Sequence, residues 1–221
     1  MKKICFDNRY GLTEAVIDGR KTMTRRIAYD KPMAYQARFG WENGHKILLD
    51  GWERVAVSKY AIGEVLAVAQ SYYDIYEERV KAHGGSFCQW AKAKGLDYGR
   101  AIEEMEALQK ESGYWNKLFV RSSLMPYQIK ITGIGCERLQ DITEYHCMCE
   151  GIYAHTVELD ETPGIKPYTS YAYDCRKGSN IKRWWFETPQ IAFSKLIDKT
   201  CGKGTWNKNP WVWVYQFELI K

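Results

Sequence analysis

Nine consecutive residues, Asp18-Gly19-Arg20-Lys21-Thr22-Met23-Thr24-Arg25-Arg26, gather four cations and two hydroxyls. Lys21, Thr24, Arg25 and Arg26 together make a dense set of donors for a phosphate, a nucleobase or an amide carbonyl. Arg20 belongs to the same set. The plain alternative is a charged turn held in water, as most basic runs are. In that case the cations pair with Asp18 and with Glu150 and simply hold the fold together.

The elements around this run say how it is presented. Residues 3–6 read as a short first strand. Asn8 reads as a helix N-cap, and Leu12, Ala15 and Val16 as an apolar stripe at i, i+3, i+4. Gly19 stands where that helix should stop, because glycine enters the left-handed region without steric cost. The basic residues then follow the turn. Residues 27–59 have weak periodicity and read as a long loop with room for a hairpin, Asn43-Gly44 being the best turn signal.

Further along, residues 65–69 are apolar on both faces and read as a buried strand. Residues 72–116 read as a helical insertion, divided by Gly84-Gly85 and Gly95 into two or three helices. Residues 118–121 read as a short strand. From 127 to 139 Ile129 and Ile131 alternate, then the phase slips at Gly133 to Ile134 and Cys136, which predicts a bulge. Asp141 with Glu144 has capping-box spacing for a helix that runs to Glu150 and stops at Gly151.

Residues 153–187 read as a second, loop-rich insertion, in which tyrosines and tryptophans stand beside Arg and Lys. Thr188-Pro189 predicts a helix start and Gly202 its stop. The final strand, 211–219, alternates Trp211, Trp213, Tyr215, Phe217 and Leu219 with Val212 and Val214. Several short strands with single helices between them predict an α+β fold with a small curved sheet or barrel.

Composition narrows the function classes. Apolar residues are 45% of the 221, enough for a packed core. No apolar run approaches the ~20 residues of a membrane span, so no membrane partner is expected. Asp7 follows Met1-Lys2-Lys3 too closely for a signal peptide. A net charge of +5 permits nucleic acid without requiring it. Seven cysteines without a Cys-x-x-Cys argue against a disulfide framework or a zinc site. His146 with Cys149 offers two ligands at i,i+3 but finds no second pair. The expectation is a reduced cytoplasmic protein with no metal and no cofactor.

Four segments in order resemble the ASCH family of PUA-like folds, most closely its large phage- and prophage-type members. They are 17–26; 60–68, Tyr-Ala-Ile-Gly-Glu-Val-Leu-Ala-Val; 137–143, Glu-Arg-Leu-Gln-Asp-Ile-Thr, through Glu150-Gly151-Ile152; and 204–214, Gly-Thr-Trp-Asn-Lys-Asn-Pro-Trp-Val-Trp-Val. The resemblance covers about half of the chain and leaves both insertions outside. It implies one domain over 1–221, a small β-barrel with flanking helices and the helical insertion, and a cleft that binds RNA or a modified nucleoside.

Small bacterial relatives in that family hydrolyse N4-acetylcytidine with a Lys and a Thr from a Gly-x-Lys-x-x-Thr segment and a Glu on a later helix. By position these are Lys21, Thr24 and Glu150. The resemblance implies Thr24 as nucleophile, Lys21 as its proton acceptor and Glu150 as proton donor to the leaving nitrogen. Arg20, Arg25 and Arg26 are the implied binding residues. Two departures bear on the substrate: Ala69-Gln70 and Tyr127-Gln128 stand where the phage-type pattern has Arg-Glu and Arg-Trp. A lysine with an ordinary pKa of about 10.4 serves as a base near neutrality only if buried or crowded by other cations. On one continuous strand positions 21 and 24 would face opposite ways, so the segment has to turn.

Overall fold

A computed structural model describes residues 1–157, 168–177 and 180–220. The strands are β1 (Lys3–Ile4), β2 (Met23–Tyr29), β3 (Ala37–Glu42), β4 (His45–Asp50), β5 (Glu53–Val57), β6 (Val65–Val68), β7 (Gln128–Arg138), β8 (Tyr153–Val157), β9 (Tyr168–Lys177), β10 (Asn180–Phe186) and β11 (Trp211–Leu219). The helices are α1 (Leu12–Ile17), α2 (Tyr72–Ala82), α3 (Phe87–Ala93), α4 (Tyr98–Gln109), α5 (Glu144–Cys149), α6 (Pro189–Thr200) and α7 (Thr205–Lys208). The protein thus mixes α and β, and its strands form several sheets, none closed into a barrel among the described residues. No described helix is long and apolar enough to cross a membrane.

The chain divides into two compact units, Met1–Cys5 with Leu66–Gln128, and Phe6–Val65 with Ile129–Ile220. In the first, β1 runs parallel to β6, with Ile4 opposite Val68. Ala67, Ala69, Ile75, Val120 and Met125 form a buried cluster there. The helices α2, α3 and α4 break where the glycines stand. Gly84, Gly85 and Gly95 all have positive φ, the region that a side chain disfavours. Ser71 and Asp74 form a reciprocal capping box at the start of α2.

The strand expected at 118–121 is absent. The carbonyls of Leu118 and Val120 accept from Lys3 Nζ at 2.7 and 3.0 Å instead of from a neighbouring strand. The Leu118 amide goes to the Asn116 side chain. With their backbone groups satisfied this way, the residues have no need of a ladder.

In the second unit β11 lies between β7 and β2 and is antiparallel to both. The expected bulge is present. Gln216 faces Gly133 while Phe217 faces Ile131, so Thr132 is the extra residue. Residues 212–215 of β11 are buried on both faces, not on one alternating face. One reason is that β3, β4 and β5 do not form the long loop expected at 27–59. They make an antiparallel sheet turned at Asn43-Gly44, both with positive φ as a tight hairpin requires. The Tyr60 ring lies 5.2 Å from that of Tyr215, and Phe39 lies 5.6 Å from Trp211.

The segment expected to be loop-rich, 153–187, also carries strands: β9 pairs antiparallel with both β8 and β10. Tyr171, Tyr173 and Phe186 suit a pleated surface, and the Tyr173 and Phe186 rings stack at 5.7 Å. Two caps differ from expectation. Asn8 does not cap α1: Asp7 caps a separate 3-10 turn over Asn8–Tyr10, accepting from Arg9 N, and α1 begins after Gly11 without a side-chain cap. Thr143, not Asp141, caps α5, because Asp141 is taken up in a short 3-10 turn. Thr188 caps α6 with Pro189 in its first turn, as read from the sequence.

Candidate functional site

The basic run leaves α1 at Gly19, whose φ is +73°. It is then tied down by backbone bonds on three sides. Lys21 N donates to Ala15 O at 2.7 Å, Thr22 N to Cys149 O at 2.9 Å, and Phe217 N to Thr22 O at 2.9 Å. Lys21 therefore precedes β2 and is not part of it. Its side chain points inward and is 2% exposed.

Glu150 arrives from the C-terminal end of α5. Gly151, with φ of +102°, reverses the chain just behind it. A side chain at 151 would meet Leu12 at 3.3 Å and the Lys21 stem at 3.6 Å, so a bare backbone lets the two partners close. Lys21 Nζ donates to the Glu150 carboxylate at 2.5 Å and to the Glu150 carbonyl at 2.7 Å. The other carboxylate oxygen accepts from Arg25 Nη1 at 3.1 Å.

Arg25 extends the network. Its Nε and Nη2 both donate to Glu137 Oε1, at 3.0 and 2.6 Å. Nη2 also lies 3.4 Å from His146 Nδ1. A guanidinium has no acceptor, so this contact calls for an imidazole with a bare Nδ1. The Arg25 side chain is fully buried and Glu137 is 28% exposed. Two cations thus meet two carboxylates, a balanced set that can exist away from water because every member is hydrogen-bonded.

Burial pushes the Lys21 ammonium below its ordinary pKa; Glu150 works against this, and Arg26 and Arg25 add to it. Burial, far more than crowding by the arginines, supplies the downward shift that a lysine base would need. Burial also pushes the Cys147 thiol, on α5 itself, up to about 12.

The six candidate residues do not share one location. Lys21, Arg25 and Glu150 converge. Thr24 is buried, but it pairs with Tyr215 and faces the side of β2 opposite to Arg25. Among the described residues its hydroxyl makes no hydrogen bond with Lys21 or Glu150. Arg26 shares the Thr24 face and is exposed at the surface. The Phe6 ring links the two sides: Lys21 Nζ and Arg26 Cζ each lie 5.8 Å from its centroid. Arg20 is exposed and pairs with Asp18 at 3.3 Å.

Glu137 and His146 were not among the residues expected from sequence to act here. The signal for Glu137 was a lone carboxylate in its strand. Choosing it required the register that sets β7 and β2 on either side of β11.

No protein-family model matches this chain, and no curated protein or solved structure is significantly similar to it.

Proposed function

We propose that this is an ASCH-type protein of the PUA-like class, acting in the cytoplasm, that binds RNA or a modified nucleoside next to the Lys21–Glu150 pair. The fold proposed with it is the small β-barrel with flanking helices. The reading rests on one observation: a buried lysine and a buried glutamate, 129 residues apart in sequence, meet at 2.5 Å within the segments that carry the resemblance. Arg26 stands near Lys21 across the buried Phe6 ring, an exposed cation for phosphate. Titrating the protein with N4-acetylcytidine, cytidine and a short single-stranded RNA tests this. Saturable binding that Arg26→Ala weakens supports it, with a salt dependence marking phosphate contacts. Absence of binding by all three at millimolar concentration sinks it.

A second reading, hydrolysis of N4-acetylcytidine or a related N4-acylated cytosine, is favoured by the depressed Lys21 pKa. In that reaction Lys21, in its neutral form, takes the Thr24 proton and the Thr24 oxygen attacks the acetyl carbon. An ester forms on Thr24 and the C–N bond breaks; the proton that Lys21 has taken passes to the Glu150 carboxylate, which hands it to the leaving nitrogen. Water then releases acetate. Substrate binding has to bring Thr24 and Lys21 onto the same carbonyl past the Phe6 ring. Incubation with N4-acetylcytidine and chromatography for cytidine separates this reading from binding alone. Lys21→Ala and Thr24→Ala should each abolish any turnover, and Glu150→Gln should lower kcat more than it changes KM.

A further inference from the structure

The sheet of β8, β9 and β10 has β9 in the middle, so β10 is an edge strand among the described residues. Four consecutive residues of β10, Lys182, Arg183, Trp184 and Trp185, are all exposed. The two tryptophans are 53% and 45% exposed. Leaving two adjacent indoles in water forgoes apolar burial that a packed core would have claimed.

Strand alternation divides the four residues between two faces. Trp184 shares a face with Tyr173 and Phe186, and Tyr173 is buried with its ring 6.0 Å from that of Tyr10. The other face carries Arg183 and Trp185 from β10, Asp174 from β9, and Tyr153 and His155 from β8. There the Trp185 ring meets His155 at 5.3 Å and Tyr153 at 6.3 Å, at angles of 66° and 84°. Such contacts fix the orientation of the ring, while nearly half of the residue still faces water.

Arg183 is oriented as well. Its Nε stands 3.6 Å from Asp174 Oδ1, which accepts from the Tyr153 hydroxyl at 2.8 Å. The Arg183 side chain nevertheless remains 57% exposed. Two residues apart on one strand, Arg183 and Trp185 lie about 7 Å from each other.

Charge and shape together narrow the partner. The three strands hold four cations, Arg176, Lys177, Lys182 and Arg183, against one carboxylate, Asp174. That balance attracts a polyanion. An acidic peptide would answer the cations and leave the rings unused. An unpaired base with its phosphate answers both, by stacking on an indole and pairing with a guanidinium.

We propose that this face of the β8–β10 sheet binds single-stranded nucleic acid, with a base stacked on Trp185 and a phosphate on Arg183. No residue of the Lys21 network takes part, so the surface goes beyond the site proposed above and is tested apart from it.

Fluorescence anisotropy with labelled RNA and DNA strands of about 12 nucleotides, rich in cytosine and uracil or thymine, reads the binding. At least one of the two should bind the full-length protein saturably, and the pair shows which nucleic acid the face takes. Trp185→Ala should weaken that binding at least fivefold, as loss of one stacked base does. Trp185→Phe should recover most of it. Arg183→Gln should lower the slope of log affinity against log salt by about 0.7, the value for one phosphate contact on a single strand. A duplex of the same sequence, whose bases cannot stack on the sheet, should bind at least fivefold more weakly.

No saturable binding of either strand at submillimolar protein overturns the proposal. So does unchanged affinity in Trp185→Ala, or a duplex bound as tightly as the single strand. A larger loss in Trp184→Ala than in Trp185→Ala overturns the choice of face. Arg26→Ala keeps the two sites apart. Binding that Arg26→Ala weakens and Trp185→Ala does not overturns this proposal and leaves the Lys21 reading. The reverse pattern keeps this proposal and removes RNA from the Lys21 site. If Trp185→Ala fails to fold, the salt slope of Arg183→Gln and the duplex comparison in the wild type still decide.

Discussion

Lys21 Nζ lies 2.5 Å from Glu150 Oε2, and neither side chain is more than 5% exposed. Glu150 is the only carboxylate that pairs with Lys21 among the described residues, whereas Arg25 has Glu137 as well. The network is therefore asymmetric, and the two ends of its shortest link should respond differently to mutation.

Glu150→Gln strands the Lys21 charge in the interior, while Lys21→Met leaves Glu150 still paired to Arg25 at 3.1 Å. Breaking a buried pair by removing one partner costs about 3–5 kcal/mol. Glu150→Gln is expected near that range and Lys21→Met below it, with the double variant less destabilised than the sum of the two. Urea denaturation of the four proteins measures this cycle. Strict additivity would mean that the pair has no energetic coupling.

Lys21 also makes stability depend on pH. Its folded-state pKa is lowered from 10.5, chiefly by burial. Between that lowered value and 10.5 the unfolded chain holds more protons on Lys21 than the folded one, so its contribution to stability rises with pH across the window. Below the window Lys21 is charged in both states, and the full cost of burying the charge is present. The unfolding free energy of wild type minus that of Lys21→Met should climb through the alkaline range and level off above 10.5. A flat difference would count against a depressed Lys21.

Thiol chemistry should separate the cysteines cleanly. Cys147 is fully buried, and burial pushes both it and Cys136 up to about 12. Cys88 and Cys201 are exposed. Iodoacetamide at mildly alkaline pH should label Cys88 and Cys201 in the folded protein, and reach Cys136 and Cys147 only after denaturation. Peptide mass spectrometry reads this. Early labelling of Cys147 would show that the α5 side of the site opens in solution.

Gly113 should tolerate no side chain. A Cβ there would lie 2.6 Å from the Tyr72 ring and 2.9 Å from Val120, which is 1% exposed. The Gly113 carbonyl also accepts from Tyr72 N at 3.0 Å, so the backbone cannot easily back away. Gly113→Ala is expected to destabilise by about 1–3 kcal/mol, the usual cost of overpacking. A thermal melt tests it, and a wild-type midpoint would show that Tyr72 yields freely.

What the amino-acid order determined by itself was local. The left-handed Gly19, the Asn43-Gly44 turn, the breaks at Gly84-Gly85 and Gly95, and the Thr188-Pro189 cap each depend on sterics and hydrogen bonds within about four residues. The bulge beside Gly133 was legible as well, because an apolar alternation that changes phase within one strand must hold an extra residue there. The strands of 27–59 and 153–187 were not, since their stability comes from cross-strand partners and not from a periodic stripe. Only the tertiary structure decided which of the cations at 20, 21, 25 and 26 would be buried. Arg25 and Arg26 are neighbours of the same chemical type. Yet strand alternation sends Arg25 to Glu137 and Glu150 and turns Arg26 to the face where Thr24 lies. Register over β7, β11 and β2 makes that choice, and a slip of one residue would exchange the two faces.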